Sequence, residues 1–301
     1  MPGSLTKDLV SVVIATYNMA RYLPQAVQSV LSQSYTNVEV QIVDDGSSDE
    51  TADVVRQWQE DPRVRVHRQV NGGQARAKNQ GVTLSRGRFV AFLDADDLWL
   101  PDKLARQMPL FKGHPEVGVV YSDYQCVDGE GHVLAQELAR MRRGWVSDAL
   151  LIENFVGYST GVVRRECLER YGGFDESLRM GIDYDLWLRL SAHYQFDFVP
   201  EKTMQYRIWS GQMSKNYRRR YESAIRIMQD FIDNNPGLVP RRLVREAWAH
   251  TYAGRGNTIL WREDDRVEAY RDYLRALRFV PWYWPAWRAL LRSLITTRAP
   301  E

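Results

Sequence analysis

Three carboxylates within four positions, Asp94, Asp96 and Asp97, close an apolar run, Phe89-Val90-Ala91-Phe92-Leu93. Carboxylates this close repel one another and raise each other's pKa unless a positive charge sits among them. A divalent cation bound through oxygens, and gripping the phosphates of a substrate, is one answer to that repulsion. The other is a helix start, with Asp94 or Asp96 capping what begins at Trp99-Leu100-Pro101-Asp102. Two further polar clusters follow apolar runs in the same way, Asp44-Asp45-Gly46-Ser47-Ser48-Asp49 and Asn71-Gly72-Gly73-Gln74-Ala75-Arg76. Asp45 could accept an N–H from a nucleobase through a charge-assisted bond, or cap the segment opening at Thr51. Gly72-Gly73 admits a phosphate close to the backbone or simply turns the chain. Arg76 and Lys78 could neutralise a pyrophosphate or stand in solvent. Asp183 and Asp185 fall in the first turn of a helix read from Ile182, Leu186 and Arg189. There they suit the helix dipole, and one of them could equally be a general base.

These clusters need elements to hold them. Short β-branched runs at Val10 to Ala15, Val38 to Val43, Val64 to His67, Arg88 to Leu93 and Val117 to Tyr121 read as strands. Leu23, Ala26, Val27, Val30 and Leu31 recur at i, i+3, i+4, i+7 and i+8, which makes one helical face. Strands alternating with helices predict an α/β fold with a mainly parallel central sheet covered on both faces. In such sheets ligands bind beyond the carboxyl ends of the strands, and that is where the polar clusters lie. Tyr158 to Val163 reads as a loop entering a strand, and Tyr171 to Glu176 as a tight turn.

At 301 residues and 44% apolar content the chain can bury a large core. No apolar run approaches the ~20 residues of a membrane span, and the first eight residues do not read as a secretory signal, so a cytoplasmic protein is expected. Cys126 and Cys167 lack the spacing of a metal or redox pair and read as buried thiols. The net charge of +2 hides an asymmetry: residues 218 to 301 hold 16 Arg and no Lys against 10 acids, with five of the ten Trp. That shift divides the chain into a first domain, 1 to 217, and a helical Arg/Trp-rich region, 218 to 301.

The motifs, in their order, resemble the family 2 glycosyltransferases, inverting enzymes of the GT-A fold that use nucleotide-activated sugars. The resemblance rests on Val10 to Asn18, Val43 to Thr51, Asn71-Gly72-Gly73 with Ala77 to Gly81, Leu93 to Asp97, Gly172 to Glu176 and Asp183 to Arg189. It runs from Leu9 to about Ser214. It implies that Ala15, Thr16 and Tyr17 edge the base pocket, with Tyr17 free to stack and Asp45 placed for the base N–H. Gly73, Arg76 and Lys78 would then face the diphosphate. Asp94-Ala95-Asp96 is similar to the DxD motif of the family, with one carboxylate near the ribose and Asp96, joined by Asp97, toward Mn²⁺ or Mg²⁺. Asp183 aligns with the catalytic base, and Tyr158, Asp185, Trp187 and Trp209 are the expected acceptor contacts. Trp209 stands where the family commonly carries His, so it would stack on a sugar or cover the site as a lid.

The implied activity is metal-dependent inverting transfer of a sugar, most simply from a UDP-sugar, to a hydroxyl of a glycan or glycolipid, in cell-surface polysaccharide synthesis. A rival of another class is a non-catalytic nucleotide-sugar sensor or scaffold acting through the helical tail. No Gly-x-Gly-x-x-Gly follows the first strand, which argues against a dinucleotide oxidoreductase. For the tail three readings stand: a packed helical extension, a peripheral contact with anionic lipid on the inner face of the plasma membrane, or a protein partner. Nucleic acid is not expected, because no binding module accompanies the aromatics.

Overall fold

Runs of β-branched residues build the sheet, and their burial shows which strands are covered on both faces. In the computed structural model, which describes residues 6–136, 140–212 and 216–295, β1 (Thr6–Thr16), β2 (Val38–Asp44), β3 (Val64–Arg68) and β4 (Gly87–Phe92) lie parallel. Every residue of β2 is buried, as a strand between two helical layers requires. The sheet continues through β5 (Leu98–Trp99), β6 (Val117–Val127), β7 (Val162–Arg164) and β8 (Gln195–Arg207), in the order β3-β2-β1-β4-β7-β6-β8-β5. β7 runs antiparallel to both β4 and β6, and β5 antiparallel to β8, while β6 and β8 are parallel. The mainly parallel α/β sheet expected from the alternating pattern is therefore present.

α1 (Leu23–Leu31) presents Leu23, Ala26, Val27 and Val30 to the core, with Pro24 in its first turn where the missing N–H costs nothing. α2 (Thr51–Val54) and α3 (Gln74–Leu84) follow β2 and β3, and α4 (Lys103–Gln107) follows β5. Gly81 of α3 lets the helix rest on β1, since an added Cβ would come within 2.4 Å of Val13. α5 (Ser147–Ile152), α6 (Arg165–Tyr171) and α7 (Ile182–Ser191) lie further along the chain. The main core joins Val10, Val12, Ile14, Val40, Ile42, Ala91 and Leu93 from the sheet to Leu23 and Val27 of α1. Cys167 is buried as expected, whereas Cys126 is only half-buried; both thiols are free. The first expectation is met at one position and corrected at the other, because Cys126 lies in the partly exposed stretch of β6 that follows its buried half.

The chain divides into two units, Met1–Val146 with Phe155–Gln212, and Ser147–Asn154 with Met213–Glu301. The second is helical: α5 joins α8 (Tyr217–Asn234), α9 (Arg241–Glu263), α10 (Arg266–Phe279) and α11 (Trp284–Ile295). α9 and α10 form a hairpin turned by Asp264 in the left-handed region (φ 53°), and Asp265 caps α10 by accepting from the Glu268 N–H at 3.0 Å. Gly256 allows the close approach, since a Cβ there would lie 2.8 Å from the Tyr273 ring. The fully buried Asp272 is held by Arg255 at 3.2 Å and Arg275 at 3.3 Å, so part of the Arg excess is spent on internal ion pairs. Among the described residues no helix is long and apolar enough to cross a membrane.

Candidate active site

The register of the parallel strands brings their polar ends to one edge. Thr16 pairs with Asp44 across β1 and β2, and Val13 with Phe92 across β1 and β4. Tyr17, Asp45 and Asp94 follow directly. The Asp45 N–H donates to the Thr16 carbonyl at 2.9 Å, and its carboxylate accepts from the N–H groups of Gly72 (2.9 Å) and Gly73 (2.8 Å) and from Gln69 Nε2 (2.8 Å). Asp45 thus ties the loop after β3 to the end of β2. Gly73 needs to be glycine because its φ is 89°, and the space over it is open. Asn18, also left-handed at φ 54°, accepts from the N–H groups of Ser48 (2.8 Å) and Asp49 (3.3 Å), which joins the first two loops. Tyr17 is 48% exposed and Ala15 half-buried, while the buried Thr16 hydroxyl has no hydrogen-bond partner among the described residues. A buried hydroxyl left unsatisfied at a loop edge fits a polar ligand.

The acidic cluster separates into three different environments. Asp94 is half-buried and receives Lys78 Nζ at 3.0 Å; its N–H donates to Ser159 Oγ at 3.1 Å. Lys78, expected to face the diphosphate, is buried beside Asp94. It is 3% exposed, its ammonium lies 3.5 Å from the centre of the Tyr158 ring, and its charge is committed to Asp94. Arg76 is the exposed cation of this helix. Asp96 is half-buried, and its Oδ2 accepts from the Trp209 indole N–H at 2.8 Å. Burial, and after it the charge of Asp94, pushes the Asp96 carboxyl up. Asp97 departs from expectation: it is buried, its Oδ2 accepts from Ser159 Oγ at 2.6 Å and its Oδ1 from the Arg207 N–H at 3.1 Å. Those bonds turn it into the interior, away from a role as a metal ligand, and burial followed by the charges of Asp96 and Asp94 raises its pKa far above the carboxylate range. The Ala95 methyl is packed in the core.

Among the described residues no three of His, Cys, Asp and Glu gather as a metal cage. The donor set nevertheless fits a hard divalent ion completed by substrate oxygens and water. Asp96 offers an oxygen not used by Trp209, in a setting where added positive charge relieves the burial and repulsion just described.

Asp183 and Asp185 open α7, as read from the sequence, but they are not equivalent. Asp185 is bound by Arg189 at 2.7 Å across one helical turn, and Arg189 also donates to the carbonyls of Tyr171 (2.7 Å) and Gly173 (2.6 Å). It is a clamp on the preceding turn and not an acceptor contact. Trp187 is corrected likewise: it is fully buried against Phe92 and Phe196, and Gly161 must lack a Cβ to admit its ring. The apolar α7 face reaches the sheet, so the indole becomes core. Tyr158, expected as an acceptor contact, is 9% exposed and stacks on Phe92 at 5.4 Å. Its hydroxyl is pushed far up, first by burial and then by the charges of Asp94 and Asp183. One buried phenol thus lies within the electrostatic reach of both the acidic cluster and the α7 carboxylate. Trp209, expected as a lid, packs on Tyr22 at 5.4 Å and holds Asp96. Residues 213–215, which follow it, lie outside the described residues.

Three positioning residues were not singled out by sequence reasoning. Ser159 joins Asp94 to Asp97. Asn79 donates to the Phe174 carbonyl (2.9 Å) and accepts from the Phe174 N–H (2.8 Å), and Gly173 is bare because a Cβ would meet Asn79 Oδ1 at 2.4 Å. Arg207 reaches the Asp96 carbonyl (2.9 Å), the Gly129 carbonyl (2.9 Å) and Gln25 (2.8 Å). The Tyr206-Arg207 pair beside a motif loop was the signal available for the last of these.

Residues 11–172, more than half of the chain, match the model for glycosyl transferase family 2. The chain belongs to that family. An uncharacterized glycosyltransferase of Methanocaldococcus jannaschii is 28% identical over 214 residues, covering 69% of this chain and 73% of the relative. Chondroitin synthase of Escherichia coli is 32% identical over 194 residues, which are 64% of this chain but only 28% of that protein. Among solved structures, S. aureus TarS in complex with UDP-GlcNAc superposes with a TM-score of 0.71 at 18% identity, over 91% of this chain and 82% of TarS. The mannosyltransferase PcManGT of Pyrobaculum calidifontis, in complex with GDP-Man and Mn²⁺, gives 0.65 at 21% identity, over 95% of this chain and 79% of that one. These neighbours carry the GT-A fold, and this glycosyltransferase shares it.

Proposed function

We propose that this glycosyltransferase moves a sugar from a nucleoside diphosphate donor, a UDP-sugar in the simplest case, to a hydroxyl of a glycan or glycolipid, with inversion at the anomeric carbon. The reading is supported by the Asp45-tied loops and the Asp94 to Asp96 pair at the strand ends, and by the charges of Asp94 and Asp183 acting on the same Tyr158 hydroxyl. Tyr17 offers an exposed ring for the base, the Thr16 hydroxyl a polar contact, and the Asp45 carboxylate its remaining lone pairs. The open backbone at Gly73 and the exposed Arg76 suit the diphosphate. Asp96, beside Asp94, would hold a divalent ion, Mn²⁺ or Mg²⁺, which when bound supplies Lewis-acid relief of charge on the leaving diphosphate. Asp183 accepts the proton of the acceptor hydroxyl as its oxygen attacks the anomeric carbon and the nucleoside diphosphate leaves from the opposite face. Cell-surface polysaccharide synthesis is the setting that a glycan acceptor implies.

The test is release of nucleoside diphosphate across a panel of UDP- and GDP-sugars with candidate acceptors, with and without Mn²⁺. Asp96→Ala and Asp183→Asn should abolish most turnover, and wild-type rates in both variants would refute the assignment of roles.

A further inference from the structure

α9, α10 and α11 of the helical unit line an open cavity of about 280 Å³, and its lining combines indole rings with guanidinium groups. Trp284, Arg288 and Arg292 recur at i, i+4 and i+8, so α11 turns one stripe of ring and cations to the cavity. Trp261 of α9 stands at the same cavity. Trp261 is 50% and Trp284 65% exposed, an unusual state for side chains of this size unless they meet something. At the base, the Tyr273 hydroxyl donates to Asn257 Oδ1 at 2.8 Å, a polar floor below the rings.

Several arginines of this unit are engaged in ion pairs: Arg218 with Glu263 and Glu268, Arg255 with Glu268 and Asp272, Arg275 with Asp272. At the cavity Asp264 is matched by Arg266 at 3.5 Å, and Arg288 forms no ion pair among the described residues. The lining therefore sets the Arg288 guanidinium next to exposed aromatic faces. A guanidinium fork matches a carboxylate or phosphate in two parallel hydrogen bonds, and an indole face covers the C–H face of a ring. The volume lies at the small end of ligand sites, which run from roughly 300 to 1,000 Å³, so one ring fits and an extended molecule does not. A bilayer is met by a convex apolar face lying in the headgroup plane. Here the rings and cations surround a hollow, which favours a discrete ligand.

We infer that this cavity is a carbohydrate subsite that takes one anionic pyranose, bearing a carboxylate or phosphate, of the acceptor glycan. Its description as an acceptor subsite rests on the glycosyl-transfer reading above; the binding itself does not. The experiment is isothermal titration of the full chain with a hyaluronan hexasaccharide and with glucose 6-phosphate, with cellohexaose as the neutral comparator and UDP as a report on the donor cleft. The two anionic probes should bind at least tenfold tighter than cellohexaose and weaken as salt rises. Trp284→Ala and Arg288→Glu, both at exposed positions, should each cost tenfold or more in that binding and leave UDP affinity and the thermal transition unchanged. Failure of both anionic probes to bind, equal binding of cellohexaose, or wild-type affinity in both variants would overturn the inference. So would loss of phosphatidylglycerol vesicle binding in the variants with oligosaccharide binding intact, because the cavity would then serve lipid. If no donor releases its nucleotide while hexasaccharide binding persists and depends on Trp284 and Arg288, the transfer reading falls and the subsite stands.

Discussion

Replacing Lys78 by Met, a side chain of similar length without the charge, isolates the counter-ion of the acidic cluster. The ammonium lies 3.0 Å from Asp94 Oδ1 with side-chain exposures of 4% and 36%. At an effective dielectric constant of about 20 two charges at that separation attract by roughly 5.5 kcal/mol. Desolvation of the lysine and the solvent reaching Asp94 offset more than half of this, which leaves a net coupling of about 1–3 kcal/mol. Lys78→Met should cost about 2–4 kcal/mol, since it also gives up the contact with the Tyr158 ring and leaves Asp94, beside Asp96 and Asp97, without its ion-pair partner. Asp94→Asn strands the buried ammonium and should cost a similar amount. Urea unfolding of wild type, both single variants and the double variant closes the cycle. The double variant should be less destabilised than the sum of the singles by at least 1 kcal/mol. A coupling under about 0.5 kcal/mol would refute the view that Lys78 serves Asp94, and would return it to the role of a phosphate ligand.

Further outcomes follow from other contacts. Asp183→Asn should lower kcat about 10²–10⁴-fold with UDP affinity kept, measured by nucleotide release and titration, as expected for a lost general base. Burial alone would raise the pKa of Glu39, but hydrogen bonds from Ser11, the Arg86 N–H and the Arg86 guanidinium outweigh it and hold the carboxyl below its usual 4.5. A depressed folded pKa contributes stability that is complete above the unfolded value and is lost as pH falls through the folded one. Wild type should therefore lose stability more steeply than Glu39→Gln below pH 4.5, and at pH 7 the variant should be about 1–3 kcal/mol less stable by urea unfolding. Gly173→Ala forces a methyl to 2.4 Å from Asn79 Oδ1 and should cost about 1–3 kcal/mol; an unchanged transition would show that the turn yields.

What was legible in the sequence was local. The β-branched runs marked β1, β2, β3, β4 and β6, and turn residues beyond them marked the ligand edge, because both signals lie within a few positions. The i, i+3, i+4 face of α1 was equally plain. β5 and β8 were missed: one has only two residues, and the other carries Pro200, which removes a ladder donor. Which carboxylate meets solvent was not legible, since Asp97 is claimed by Ser159 and Arg207, 62 and 110 positions away. Trp187 was misjudged because both faces of α7 are covered, and covered faces leave no amphipathic stripe. The Asp185 to Arg189 pair, at i and i+4, was within reach of sequence reasoning.

The primary amide of Asn79 sits on α3, the helix that also carries the partner of Asp94, yet its hydrogen bonds reach the turn that leads into α7. On the proposed roles, this side chain, with Gln74 of the same helix bonding the Arg179 carbonyl, links the helix of the donor side to the segment before the helix that carries the proposed base. For an engineer the consequence is a seam: any exchange of the segment before α7 should keep Asn79 and the bare Gly173 beside it as a matched pair.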